Sequence, residues 1–544
     1  MVNLVPKLSL GTRRGIDNHY DILPKTENRK PKTVFMKYRP LMILGSGSDV
    51  GKSIITAGLC RIFHQEGLRV APFKAQNMAL NSFITPEGGE MGRAQVVQAQ
   101  AAGLAPHVDM NPILLKPSSE VGSQVIVHGQ VYGNFSAQEY YRHKPRLTRK
   151  VMESFRRLSL NHELVILEGA GSAVELNLKK NDLVNFRMAR KSGAAVLLVA
   201  DIDRGGVFAA TIGSFHLMTP AERRLLAGFI INKFRGDPAL FQEGERIIER
   251  RTRRPVLGVL PYAPDLALPE EDSVALGRKG KVAGSQPAAG KSLRVGVVRL
   301  PHISNYTDFD PLEQEAGVSL SYLDHHQGLD GVDLLILPGT KNTISDLLYL
   351  KETGLFQEIQ AYARRGGRLV GICGGYQIMG REVLDPLGVE GPPRSEAGLG
   401  LLPVVTTMAG VKATTQVRAR ALQGRTAGLL IEAYEIHMGE TRGQGEGQPA
   451  FEISSRNGRQ VKVSDGWTSP DRRVWGTYLH GLFDDDEFRR GFLSEIIFSE
   501  AGSQAGAAAP SLSFRDFQEA QLDLLADLLR THLDLPRIRA LIQP

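Results

Sequence analysis

A glycine-rich loop near the start of the chain carries a lysine followed by a serine. It reads LGSGSDVGKS over residues 44–53 and follows the apolar run LMI. Between a strand and a helix, such a loop presents backbone N–H groups and the positive end of the helix dipole to a phosphate. Lys52 would add a counter-charge, and the Ser53 hydroxyl would be a ligand for Mg²⁺. We therefore predict that this loop binds the phosphates of ATP.

The spacing of the loop differs from the common fingerprint G-x-x-x-x-G-K-[ST]. Ser46 stands where that fingerprint has its first glycine, and the glycine is one position earlier, at Gly45. With Asp49 and Val50 before Gly51, the loop resembles that of dethiobiotin synthetase-like ATPases. The resemblance implies that the phosphate acceptor is a carboxylate, and that Gly45, Asp49 and Gly51 belong to the ATP site.

Three polar residues end apolar runs that should stop beside this loop. Lys74 follows APF, Glu168 follows VIL and Asn232 follows FII. Ligands of doubly wound sheets bind beyond the carboxyl ends of the strands. We expect Lys74 to face the acyl phosphate and the substrate, Glu168 to bind Mg²⁺ beside Ser53, and Asn232 to contact adenine. Asparagine also commonly caps helices, so the role of Asn232 stays open.

A cysteine in the second half of the chain lies on a turn between glycines. The stretch GICGGYQ places Cys373 after an apolar run and before a predicted helix, which is the layout of a nucleophile elbow. His480, at the end of the run TYLH, is the best candidate for its general base among the 13 histidines. Backbone N–H groups of Gly339 and Gly374 could bind an oxyanion. Cys60, in contrast, falls inside the helix after the loop and should be a small core residue.

Longer stretches of the chain resemble known enzymes. From Leu41 to the C-terminal helix the chain is similar to the cobyric acid synthase family, and its second half looks like a class I glutamine amidotransferase domain. The stretches that carry this similarity are PFKAQNMALNS (72–82), GGEMGRAQ (88–95), MNPILLKP (110–117), LVADIDRGGVFA (198–209), INKFRGD (231–237), LPGTKNT (337–343) and GICGGYQIMG (371–380). The resemblance implies that ATP and glutamine are used to amidate the b, d, e and g carboxylates of a corrinoid, adenosylcobyrinic acid a,c-diamide.

The resemblance also raises a question about the catalytic acid. Many class I amidotransferases have a glutamate two residues after the histidine, but Leu482 occupies that position. We therefore expect a dyad, with the histidine oriented by another group such as a backbone carbonyl. The acidic run 484–486 could supply a substitute acid, although such a run is typical of a solvated loop.

Composition sets the broad class of the protein. The chain has 544 residues, 42% of them hydrophobic and 23% charged, so it is a globular protein too long for a single core. Its net charge of +8 is mild and dispersed, which argues against binding of nucleic acid. Two distant cysteines exclude a disulfide framework, and no apolar run is long enough to span a membrane. We expect a cytoplasmic protein, and a homo-oligomer stays open.

The pattern of apolar runs predicts two α/β domains. Near-continuous apolar runs that alternate with helix-length segments are typical of a doubly wound parallel sheet. We predict a basic extension over 1–40, a P-loop ATPase domain over 41–276, a linker over 277–291, and a glutamine amidotransferase domain over 292–500. A flexible join and a closing helix follow over 501–544, and this helix should bury Phe514, Phe517, Leu524, Leu525 and Leu528.

Two other functions remain open at this stage. Cobyrinic acid a,c-diamide synthase amidates two carboxylates of the same ring system, but the segments AQNMALNS and MNPILLKP favour the enzyme that forms four amides. A switch ATPase would relay its nucleotide state to a partner protein. Such ATPases usually carry a second lysine where Ser46 and Gly47 stand, and an attached Cys-His amidase domain has no obvious use in a switch.

Overall fold

The computed structural model describes residues 36–117, 122–269, 292–501 and 513–543. The predicted linker over 277–291 lies outside these residues, as do most of the predicted extension and nearly all of the join after residue 501. Within the described part of the chain, no helix combines the length and the apolar character needed to cross a membrane.

The first domain contains twelve strands and seven helices among its described residues. The strands are β1 (Leu41–Gly45), β2 (Val70–Phe73), β3 (Asn77–Met78), β4 (Ser82–Ile84), β5 (Glu90–Gly92), β6 (Ile113–Pro117), β7 (Gly122–Val127), β8 (Gln130–Ser136), β9 (Leu164–Glu168), β10 (Ala195–Asp201), β11 (Leu226–Phe234) and β12 (Val256–Pro261). The helices are α1 (Lys52–Gln65), α2 (Arg93–Ala101), α3 (Ala137–Asn161), α4 (Phe186–Ser192), α5 (Val207–Leu217), α6 (Pro220–Leu225) and α7 (Gln242–Thr252).

A parallel sheet in the order β12-β11-β10-β1-β9-β2 forms the centre of this domain. All six strands coincide with apolar runs of the sequence, and every residue of β1, β9 and β10 is buried. Strands that are covered on both faces need continuous apolar sequence, which explains why the sequence predicts them well. Their carboxyl ends bring the phosphate loop, Glu168 and Asn232 to one edge of the sheet.

A second, four-stranded sheet in the order β3-β6-β7-β8 was not expected from the sequence. Its strands are short and of mixed polarity, so they give little periodic signal. Side chains alternate between its faces. Leu115 and Val125 line the large cavity of the first domain, whereas Lys116 and Gln124 point to the opposite side and contact residues of the domain interface.

The second domain contains thirteen strands and, with the C-terminal segment, seven helices in the described part of the chain. The strands are β13 (Leu293–Val298), β14 (Val318–Leu323), β15 (Leu334–Leu337), β16 (Arg368–Ile372), β17 (Glu382–Asp385), β18 (Arg394–Ala397), β19 (Val404–Ala421), β20 (Leu430–Gly443), β21 (Phe451–Arg456), β22 (Arg459–Asp465), β23 (Trp467–Thr468), β24 (Val474–Thr477) and β25 (Leu479–His480). The helices are α8 (Asp310–Glu313), α9 (Thr343–Thr353), α10 (Leu355–Arg364), α11 (Gly374–Met379), α12 (Asp486–Ala501), α13 (Phe514–His532) and α14 (Leu535–Ile542).

Two sheets organise the second domain. One has the order β14-β13-β15-β16-β24-β23 and is parallel except for its last pair. The other is a seven-stranded, largely antiparallel sheet built around the long hairpin of β19 and β20. The carboxyl end of β16 carries Cys373, and the short strand β25, which pairs with β20, carries His480.

The two C-terminal helices pack against the first domain rather than the second. Gly58 of α1 allows this contact, because a Cβ atom there would lie 2.3 Å from Leu529 of α13. The predicted helix is confirmed, but its predicted face is partly wrong. Leu522, Leu525, Ala526 and Leu529 are buried at i, i+3, i+4 and i+7, whereas Leu524 is 47% exposed.

A buried cluster of charges joins the two domains. The Glu90 carboxylate accepts hydrogen bonds from Lys116 of the first domain at 2.9 Å and from Lys412 of the second at 2.5 Å. Burial alone would raise the pKa of Glu90, but the two ammonium groups lower it to about 2. Burial lowers the pKa of Lys412 to about 8, although Glu90 opposes that shift. The domains are therefore held together by an ion cluster with an excess of positive charge.

Candidate functional site

The phosphate loop has the close packing that its glycines imply. Gly51 has φ of 99°, and a Cβ atom there would lie 2.1 Å from Nδ2 of Asn232. A Cβ atom on Gly45 would lie 2.8 Å from Nζ of Lys52. A side chain at either position would therefore displace the groups that shape the loop. Glycine one residue further out than in the common fingerprint therefore fits the close packing of this loop.

Lys52 and Asp49 are fixed by neighbouring loops. The Lys52 ammonium donates to the carbonyl of Gly47 at 2.8 Å and to that of Gly171 at 3.0 Å, so it lies across the mouth of the loop. Asp49 has φ of 56° and accepts a hydrogen bond from Arg204 at 3.1 Å. Both side chains line the cavity at the sheet edge.

Glu168 lies at the centre of a buried polar cluster. Its Oε1 accepts from the hydroxyl of Ser53 at 2.8 Å and lies 3.0 Å from Nζ of Lys74. Its Oε2 accepts from Nε2 of Gln98 at 2.5 Å. Burial would raise the pKa of Glu168, but Lys74 and these hydrogen bonds lower it below its usual value, so the group is a carboxylate. The structure thus brings Ser53, Lys74 and Glu168 together as predicted. Gln98, on α2, was missed.

Asn232 lies near the end of β11 beside the phosphate loop, as expected. Its Nδ2 donates to the carbonyl of Val50 at 2.9 Å, so the amide anchors the loop. Its contact with the adenine edge stays a prediction. The neighbouring Lys233 donates to Asp201 at 2.8 Å, and Arg235 stacks over the ring of Tyr262 at 3.6 Å. These side chains line the same cavity.

The cavity beside these groups is large and has two parts. Its volume is about 1630 Å³, above the 300–1,000 Å³ that is usual for a single small-molecule site. One part is lined by the phosphate loop, Asn232 and Tyr262. The other part is lined by the front face of the four-stranded sheet and by Tyr141 and Lys144 of α3. A cavity of this size can hold two ligands at once.

Cys373 adopts the strained backbone of a nucleophile elbow. Its φ is 51° and its ψ is −108°, which is uncommon for a residue with a side chain. Two glycines follow because the turn packs on the end of β15: a Cβ atom on Gly375 would lie 2.0 Å from the Leu337 carbonyl. The Sγ atom lies 3.5 Å from the carbonyl of Ile436. Cys60 is buried in the core of the first domain, where burial raises the pKa of its thiol, as expected for a structural cysteine.

His480 is oriented by a carboxylate that the sequence did not reveal. Oδ2 of Asp308 lies 2.6 Å from Nδ1 of His480, and Oδ1 accepts from the backbone N–H of Gly481 at 3.2 Å. Burial would lower the pKa of His480, but Asp308 and the Cys373 thiol raise it to about 10. The expectation of a dyad without an acid is therefore wrong, and the arrangement is Cys373–His480–Asp308.

The acids considered from the sequence have other positions. Leu482 is buried with 1% exposure. The carboxyl of Asp484 faces Gly481, where a Cβ atom would lie 3.6 Å from its Oδ2, and burial raises the pKa of Asp484 to about 7. Asp485 caps α12 by accepting from the N–H of Phe488 at 2.8 Å, and Asp486 accepts from Phe514 at 3.0 Å. The partner of Nδ1 of His480 is Asp308, so the run 484–486 does not supply the triad acid.

The two glycines predicted for the oxyanion both lie beside the catalytic pair. A Cβ atom on Gly339 would be 3.2 Å from Cε1 of His480. Gly374 follows the cysteine directly, and a Cβ atom there would be 3.0 Å from the backbone nitrogen of Thr340. The loop after β15 and the elbow therefore form one wall of the site, which suits the proposed role of their N–H groups.

Two family models match the chain, one for each domain. Residues 41–275 match the CobQ/CobB/MinD/ParA nucleotide binding domain, and residues 294–488 match the CobB/CobQ-like glutamine amidotransferase domain. A cobyric acid synthase of Syntrophobacter fumaroxidans is 54% identical over 93% of this chain and 98% of its own length, and one of Moorella thermoacetica is 49% identical over 93% and 97%. A solved glutamine amidotransferase from Thermotoga maritima is 14% identical, covers 46% of this chain and 99% of its own, and has a TM-score of 0.27. The chain has both domains and aligns with these two cobyric acid synthases over nearly their whole length. It therefore belongs to the cobyric acid synthase family of ATP-dependent amidoligases.

Proposed function

We propose that this enzyme amidates the b, d, e and g carboxylates of adenosylcobyrinic acid a,c-diamide, with ATP and glutamine as co-substrates. One observation carries the proposal: a single chain pairs a phosphate loop facing Lys74 and Glu168 with a Cys373–His480–Asp308 arrangement. Membership in the family supports the choice of corrinoid. The protein acts in the cytoplasm and needs no nucleic acid.

The second domain releases the nitrogen. The Cys373 sulfur attacks the side-chain carbonyl of glutamine, the carbon–nitrogen bond breaks, and His480 gives its proton to the leaving nitrogen, so that ammonia departs. Water then hydrolyses the glutamyl thioester with His480 as the base, which yields glutamate. Backbone N–H groups of Gly339 and Gly374 bind the oxyanion of the two tetrahedral intermediates.

The first domain activates the carboxylate. The γ-phosphoryl group of ATP moves to a corrinoid carboxylate and ADP leaves, because a carboxylate oxygen is too poor a leaving group for direct attack by ammonia. Ammonia then displaces phosphate from the acyl phosphate. Lys52 and Lys74 balance the negative charge of the transferring group from two sides.

Magnesium fits this site by the chemistry of its donors. The Ser53 hydroxyl and the Glu168 carboxylate are hard oxygen ligands, and Mg²⁺ is usually held by one or two such groups together with phosphate oxygens. We assign the ion to these two residues, where it would neutralise charge on the phosphates.

The cavity also supports the choice of a large second substrate. Leu115, Val125 and Phe135 give one wall an apolar face that suits a macrocycle. The Lys144 ammonium lies 4.7 Å from the ring centre of Tyr141 at the rim of this wall. A cation at that rim can bind the corrinoid carboxylates that are not reacting.

Counting the amides formed tests the proposal. The protein is incubated with ATP, Mg²⁺, glutamine and the corrinoid a,c-diamide, and the products are followed by mass spectrometry. Each amidation replaces OH by NH₂, so the steps can be counted, and we expect four. If amidation stops short of four with every substrate in excess, or if the undiamidated acid is used efficiently, the enzyme is an a,c-diamide synthase instead.

A further inference from the structure

A tyrosine ring lies beside the imidazole of His480, nearly parallel to it. Tyr434 of β20 pairs with His480 of β25, and the ring centres are 5.2 Å apart with 17° between the planes. The last torsion of histidine has a broad minimum, so a hydrogen bond at Nδ1 does not by itself fix the plane of the ring. The hydrogen bond with Asp308 thus fixes the position of Nδ1, and packing against Tyr434 fixes the orientation of the ring plane.

Tyr434 is itself held by the other domain. The ring of Phe83 packs on it with centres 5.2 Å apart and planes at 60°. The Tyr434 hydroxyl donates to the carbonyl of Ser82 at 3.4 Å. We call Asn81–Phe83 the docking segment. Tyr434 is 3% exposed, so the segment covers it.

The same segment also holds the turn that carries Asp308. The backbone N–H of Ser82 donates to Oδ1 of Asn305 at 3.1 Å, and the N–H of Tyr306 donates to Oδ1 of Asn81 at 3.3 Å. Asn305 has φ of 54° and precedes the short helix Tyr306–Phe309 that contains Asp308. Both groups that orient His480 are therefore attached to the docking segment.

The docking segment also contacts helix α2, which reaches the phosphate site. The N–H of Arg93, the first residue of α2, donates to the carbonyl of Asn81 at 3.3 Å. One turn further along α2, Gln98 donates to Glu168. Helix α2 thus contacts the carboxylate beside the phosphate loop through Gln98 and the docking segment through the N–H of Arg93.

We propose that the docking segment of the first domain completes the glutaminase site, with Tyr434 as a positioning residue that keeps His480 aligned with Cys373. The second domain then hydrolyses glutamine fast only while the docking segment is in place. This inference rests on the proposed glutaminase function. Phe83 and Tyr434 act through the alignment of His480, so their loss should lower kcat for glutamine hydrolysis rather than weaken binding of glutamine.

Two variants of the full-length chain test the role of the contact. Phe83→Ala and Tyr434→Leu each remove ring packing beside His480, whereas Tyr434→Phe keeps the stacked ring. Gln124→Ala is the matched control, because Gln124 also crosses the interface, accepting from the Lys412 ammonium at 3.4 Å, and its cross-strand partners are Lys116 and Asn134. Rates of glutamine hydrolysis and of synthesis from ammonium salt are measured for each protein.

We expect Phe83→Ala and Tyr434→Leu to lower kcat for glutamine hydrolysis at least tenfold. KM for glutamine and synthesis from ammonium salt should stay within about twofold of wild type, and Tyr434→Phe and Gln124→Ala should behave like wild type. An unchanged kcat in Phe83→Ala, or an equal loss of both activities, would overturn the inference. Absence of glutamine hydrolysis in the wild-type protein would instead refute the proposed function.

Discussion

Asp308 and His480 are 172 positions apart in the chain, yet the Asp308 carboxylate lies 2.6 Å from Nδ1 of the imidazole. The pair is buried, and Asp308 also accepts the N–H of Gly481, so its position is fixed from two sides. The carboxylate holds one tautomer and stabilises the imidazolium, which is the task that the acid of a full triad performs.

Removal of this carboxylate should slow glutamine hydrolysis strongly. For Asp308→Asn we expect kcat to fall by about 10²–10⁴, the upper figure being that of the serine protease triad. Synthesis from ammonium salt should be unchanged, because the carboxylate is remote from the phosphate loop. Asp485→Ala is the control, because Asp485 accepts from the N–H of Phe488, and its glutaminase rate should stay near wild type. If kcat for glutamine hydrolysis falls strongly in the control and only slightly in Asp308→Asn, the catalytic acid belongs to the run 484–486.

The two active sites should be separable by single substitutions. Cys373→Ala should lose synthesis from glutamine and keep synthesis from ammonium salt, whereas Lys52→Ala should lose both, because no acyl phosphate forms without a positioned γ-phosphate. Cys60→Ala, at the buried cysteine, is a control for loss of a thiol. Glutamine-dependent product from the Cys373→Ala protein would exclude that residue as the nucleophile.

The raised pKa of His480 makes its contribution to stability depend on pH. The pKa is about 10 in the folded chain and near 6.5 in an unfolded one. The contribution is therefore complete below about pH 6.5 and is lost as the pH rises through about 10. In urea unfolding, the difference in free energy of unfolding between wild type and His480→Gln should be larger at pH 6.5 than at pH 10. A difference that grows with pH would mean that the imidazole is neutral in the folded protein.

The ion cluster at the domain interface should be sensitive to loss of the Glu90 carboxylate. Glu90→Gln leaves Lys116 and Lys412 buried without their anion, and loss of one partner of a buried pair costs about 3–5 kcal/mol. The double variant Glu90→Gln/Lys412→Met should regain part of that free energy in urea unfolding. Because the pKa of Glu90 is lowered to about 2, its contribution is present above about pH 4.5 and is lost as the pH falls towards 2. A single variant as stable as wild type would show that water reaches the cluster.

The parts that the sequence predicted well are local in the chain. The phosphate loop, the cysteine turn and the strands of the first domain's parallel sheet are contiguous runs whose pattern needs no knowledge of the rest of the fold. The predicted neighbours Ser53, Lys74 and Glu168 meet because carboxyl ends of parallel strands share one edge.

The parts that were missed depend on contacts between distant segments. Asp308 lies in a short 3₁₀ helix after β13, in no motif of its own, and it is one of 58 acidic residues. The four-stranded sheet of the first domain and the hairpin of β19 and β20 contain both apolar and polar residues. One face of each meets solvent or the polar surface of the other domain, so the sequence there has no continuous apolar run. Only the folded arrangement shows which polar residues are buried there.

The return of α13 and α14 to the first domain makes the second domain an insertion between two parts of one core. A fragment that ends near residue 276 would lack Leu525 and Leu529, which cover α1 around Gly58. The helix that begins at Lys52 would then have an apolar side without its cover. The core of the ATPase domain is therefore complete only when the C-terminal helices are present. A stable version of this domain would need those helices joined to residues 41–276, with the second domain removed from between them.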